Sequence, residues 1–194
     1  MKSGFNLIDE YKKSWKYIVE SKKFIFSIIA IFFVFILIGF FFPIPEFLYN
    51  EILKLIQEIL AETEGLSQLE LILYIISNNV QSSFLGILFG FIYGMFPLII
   101  AIANGYVLGF VSSMSVQSAG VSSLLEIIPH GIFELPAIFI SLGLGLKFGT
   151  FMFQKNKSKS FKNYLINSIR IFLLIIIPLL IIAGIIEGSL IFLN

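Results

Sequence analysis

Residues 24–42 read FIFSIIAIFFVFILIGFFF, nineteen positions without a charge. A helix that is apolar all round has no face to offer water, so it is buried in a core or in lipid. About 20 such residues match the ~30 Å hydrocarbon thickness of a bilayer. The run therefore reads as a transmembrane helix. The remainder of the chain has the same character. Of 194 residues, 58% are hydrophobic and 13% charged, and soluble domains carry about a quarter charged. Mean hydropathy is +0.98. The sequence predicts an all-α integral membrane protein forming one membrane domain.

Further apolar segments cover 69–93, 95–115, 121–148 and 171–192, giving about five spans in all. Pro43 and Pro45 end the first, because proline cannot supply a helical N–H. The break from Gly94 to Pro97 reads as a tight hairpin. Residues 1–23 place Phe5, Leu7, Ile8, Tyr11, Trp15, Ile18 and Val19 at helical spacing among lysines. That pattern predicts an amphipathic helix at the membrane surface. A second amphipathic segment covers 46–68, and 149–170 reads as a basic loop. The first apolar run is too long for the core of a cleavable signal peptide.

Charge segregation orients the spans. Residues 1–23 hold six lysines against three acids, and 46–70 hold six glutamates against one lysine. Residues 147–170 hold five lysines and one arginine with no acid. Cytoplasmic loops collect lysine and arginine. The expected topology is N-terminus cytoplasmic, C-terminus outside, in the plasma membrane.

Polar residues inside the spans are the candidate functional groups. A charge at mid-bilayer costs on the order of 3 kcal/mol on insertion scales, so such groups face a bundle interior, a cavity or a partner. They are Asn78, Asn79, Gln81, Asn104, Glu126, His130, Glu134 and Glu187. The stretch IIPHGIFELPAIF (127–139) holds the only histidine and adds Pro129, Gly131 and Pro136. Those three predict a broken fourth span. At 1.5 Å per residue, Glu134 lies roughly 20 Å from Lys147 and Glu187 roughly 25 Å from Arg170. Both therefore fall in the outer half, and a cluster of His130, Glu134, Glu187, Asn78 and Asn79 is geometrically allowed. Asn104 comes out deeper. A structural network, a proton or ion relay and a solute path all fit such a cluster.

Other chemistries find little footing. The chain has no cysteine, which removes disulfides and thiolate chemistry. No HExxH, nucleophile elbow or phosphate loop is present, so neither a metal nor any other cofactor is expected. The basic segment serves topology, with anionic lipid as a secondary partner; nucleic acid is not expected. Gly86, Gly90 and Gly94, and Gly105 and Gly109, recur every four residues. Such faces permit close helix packing, within one subunit or in a homodimer.

The string PHGIFELPA (129–137) resembles the signature of the stage II sporulation protein M family. Asn78-Asn79, Asn104-Gly105 with Gly109, and Ile186-Glu187 are similar in family order, so the resemblance covers roughly 69–187. It implies a multi-pass membrane protein that is not an enzyme. The founding member works in a complex with two peptidoglycan-degrading proteins during engulfment, as a scaffold. Many relatives occur where neither spores nor peptidoglycan are made. The expected function is a membrane scaffold or remodelling component that recruits other membrane proteins, with His130 and Glu134 at its centre. Glu187, Asn78, Asn79 and Asn104 would form the polar shell. The alternative is a transporter or channel-like protein that uses the same cluster.

Overall fold

The computed structural model describes the backbone of residues 6–42 and 45–193, and their side chains apart from 126–133 and 193. The described residues form α1 (Leu7–Glu20), α2 (Lys22–Phe41), α3 (Glu46–Thr63), α4 (Gln68–Leu88), α5 (Met95–Ala119), α6 (Leu124–Gly149), α7 (Lys157–Ile171) and α8 (Ile177–Leu193). Among the described residues, five helical stretches are long and apolar enough to cross a membrane: Lys22–Phe41, Gln68–Phe91, Met95–Ala119, Glu134–Phe153 and Lys157–Phe192. The all-α membrane architecture expected from composition is the one observed.

The central helix is α6, which touches α2, α4, α5 and α8. Contacts close on glycine, where the missing Cβ lets backbones meet. Gly105 and Gly109 of α5 lie against the backbone of Phe32 and Ile36 of α2, so these helices run in the same direction. Gly86 and Gly90 pack on Leu142 and Gly145 of α6. Gly184 and Gly188 of α8 lie on Ile76 and Ile72 of α4, which makes that pair antiparallel. The glycine faces that suggested a homodimer are thus occupied inside the subunit.

Between α4 and α5 the chain reverses through a 3-10 turn, Phe89–Phe91, followed by Tyr93 at φ 52 and Gly94 at φ 71. Two left-handed residues in a row fold the hairpin. Gly94 is needed twice over: for its φ, and because a Cβ there would meet Leu146 Cδ1 at 2.9 Å.

Two expectations are corrected. The fourth span is not broken: α6 runs unbroken from Leu124 through Pro129, Gly131 and Pro136 to Gly149. In hydrocarbon a chain that leaves the helix abandons more backbone hydrogen bonds than two prolines remove, and neighbouring helices hold it in place. The irregularity sits instead in the last span. Phe172–Ile176 forms a π turn, with Ile177 N–H bonded to Phe172 O. Pro178 follows immediately and has no N–H for the carbonyl of Leu174; a wide turn is one way a helix absorbs that defect. Second, the basic segment read as a loop is mostly helical, a 3-10 turn Thr150–Phe153 followed by α7.

Candidate functional site

The polar interior is built by α4, α6 and α8. Glu134 of α6 reaches hydrogen-bonding contact with both Glu187 of α8 and Asn79 of α4. Glu187 Oε2 is sealed from the surface. Two carboxyl groups can hydrogen-bond only if one supplies a proton, since an ionised carboxylate has acceptors alone. The cluster brings two carboxyl groups and an amide together. It ties three helices together at one depth. Ser141 Oγ donates to the carbonyl of Ser83 at 2.6 Å, joining α6 to α4 further along. Among the described residues no three His, Asp or Glu side chains gather as metal ligands.

Glu134, Glu187 and Asn79 come together, as the depth estimate allowed. The side chains of Glu126, Pro129, His130 and Gly131 lie outside the described residues. Asn78 and Asn104 are not in the cluster: both are exposed on the surface of the bundle. Pro136 is exposed as well. One residue along a helix is a rotation of about 100°, which is why Asn79 turns to Glu134 while Asn78 does not.

The exposed amides share a place. A Cβ on Gly86 of α4 would touch Ile100 of α5 at 3.7 Å. Asn78, Ser82 and Gly86 form one row at four-residue spacing, and Ile100 and Asn104 form the facing row. The two helices touch little away from their hairpin. Beyond Gly86 and Ile100, Ser82, Asn78 and Asn104 are all exposed. Asn104 lies nine residues past Met95, roughly 14 Å into α5 and so within the hydrocarbon depth. The seam where the two helices part, the α4–α5 cleft, thus carries exposed Asn78 and Ser82 on one side and exposed Asn104 on the other.

Sequence reasoning missed a third polar site. Lys147, near the end of α6, is only 8% exposed. Its Nζ donates to Ser21 Oγ at 3.0 Å and stands 3.7 Å from the ring centroid of Tyr17 and 5.7 Å from that of Tyr164. This cation–π contact anchors α1 and α7 to the bundle. Burial, first of all, pushes the Tyr17 hydroxyl above its ordinary pKa. A second tie is the ion pair between Arg170 and Glu10. Glu10 also accepts from Lys13 at 2.6 Å, and this bond leads the causes that hold its carboxyl below the usual range. Nothing in the spacing of Tyr17, Lys147 and Tyr164 announces the contact.

The comparisons agree with this architecture. The family model described as Stage II sporulation protein M matches residues 28–190. That stretch takes in α4, α6 and α8 with Asn79, Glu134 and Glu187. An uncharacterized protein of Methanocaldococcus jannaschii is 30% identical over 176 residues, covering 87% of this chain and 78% of that relative. No solved structure matches the chain. With most of its length inside the family model, the chain belongs to the stage II sporulation protein M family.

Proposed function

We propose that this protein is a non-enzymatic scaffold of the cell membrane, N-terminus cytoplasmic, whose α4–α5 cleft receives a transmembrane segment of a partner protein. The observation that carries the reading is the exposure of Asn78, Ser82 and Asn104 at lipid depth. Lipid tails offer amides no hydrogen bond, and a partner helix does, at about 0.6–2 kcal/mol for each interhelical bond. The glycine-locked bundle supplies a rigid wall for such a helix. Lysines and Arg170 concentrated on α1 and α7 support the orientation. The assembly role implied by the family resemblance points the same way.

Photo-crosslinking in native membranes tests it. A benzophenone side chain at Ser82 or Asn104 is expected to give discrete protein adducts, while the same group at exposed Leu73 gives lipid adducts. The same lipid adducts at all three positions would rule the proposal out.

A second reading, passage of a proton or cation, is favoured by one observation: the contact between Glu134 and Glu187. Flux in liposomes that disappears in a folded Glu134→Gln variant would establish it in place of the scaffold.

A further inference from the structure

The π turn of the last span has a consequence at the membrane surface. Residues Phe172–Ile176 pack against α1, and a groove of about 410 Å³ opens between them, lined by Tyr11, Lys12, Trp15, Lys16 and Ile175. The lining divides by chemistry. Lys12 and Lys16 are one helical turn apart, as are Tyr11 and Trp15. Trp15 is 66% exposed, although Ser14, Tyr17 and Ile18 of the same helix are buried. Lys13 is committed to Glu10, whereas Lys12 and Lys16 line the almost wholly apolar groove with their alkyl stems and keep their charge for a head group at its mouth. Ile175 lies five residues beyond Arg170, roughly 7 Å along the helix and so at the top of the acyl region.

A ligand that suits this lining carries an anionic head for two ammonium groups, a body at headgroup level for two amphipathic rings, and an apolar tail that runs down past Ile175. We infer that the groove between α1 and the π turn binds an anionic glycerophospholipid, its phosphate held by Lys12 and Lys16 and its chain laid against Ile175. Tryptophan and tyrosine belong at that depth. Lysines beside an anionic head strengthen binding by about fivefold each. The site would make the seating of α1 on the bundle depend on lipid composition, and it stands independently of what fills the α4–α5 cleft.

Native mass spectrometry of the full chain, released from nanodiscs of mixed phosphatidylglycerol and phosphatidylcholine, tests the site. Phosphatidylglycerol is expected to remain bound, and the double variant K12Q/K16Q is expected to weaken it roughly 25-fold. All four lysines concerned are exposed, so removing their charge leaves the packing intact. The variant K157Q/K159Q on α7 sheds the same charge and is expected to bind as wild type does. Equal loss from both double variants would reduce the effect to the general field of a basic surface and overturn the site. Equal retention of phosphatidylcholine would overturn it too, as would displacement of the lipid by inorganic phosphate alone.

Discussion

Gly145→Val is expected to abolish the folded bundle. A Cβ at Gly145 would run into the carbonyl of Gly86 and meet Pro97 Cγ at 2.8 Å, so α4 and α5 would both have to move off α6. The first obstacle is backbone, which has no rotamer to change. A Cβ on Gly90 would in turn strike the backbone of Gly145. Ordinary overpacking costs about 1–3 kcal/mol, occasionally more; where two helices must separate from the central one, the upper end or beyond is expected. The comparison variant is Ala103→Val on the exposed side of α5, which should leave the protein unchanged. Gel filtration and thermal unfolding in mild detergent read both. A Gly145→Val protein that elutes and melts as wild type would mean that the α4–α6 contact is not the keystone of the fold.

The carboxyl pair should separate two substitutions at one position. Glu187→Gln keeps a hydrogen-bonding partner: its amide N–H can donate to a Glu134 carboxyl oxygen. Glu187→Ala removes the partner and leaves Glu134 with Asn79 alone. Losing one member of a buried polar pair costs about 1–3 kcal/mol. Denaturation in mixed detergent should therefore place the alanine variant below the glutamine variant by about that amount. Equal stability of the two would show that the Glu134–Glu187 contact does not hold α6 to α8.

Much of the fold was legible because hydrocarbon is an unforgiving solvent. The run 24–42 can be little other than a span, and the helix Lys22–Phe41 is found there. Counting residues inward from Lys147 and Arg170 put Glu134 and Glu187 at similar depth and so allowed their contact without requiring it. Other features resisted for physical reasons. Pro129, Gly131 and Pro136 predicted a break by rules that hold in water, where a chain leaving a helix finds new partners. Asn78 and Asn79 are equally polar, and only the packing of α4 decides which of them faces Glu134. Lys147 reads as an interfacial charge because its cage comes from Tyr17 and Tyr164, far away in sequence. The exposed row of Asn78, Ser82 and Asn104 could not be found without the Gly86–Ile100 contact that fixes where α4 and α5 part.

A filled α4–α5 cleft separates a scaffold from a path through the membrane, and the natural absence of cysteine makes it directly testable. Single cysteines at positions 78, 82 and 104, probed in native membranes with a membrane-impermeant maleimide applied from outside, report whether bulk water enters. Protection is expected at all three, because a partner helix fills the cleft. Rapid labelling at all three would reveal a water-filled vestibule, and would contradict the scaffold in favour of passage through the membrane.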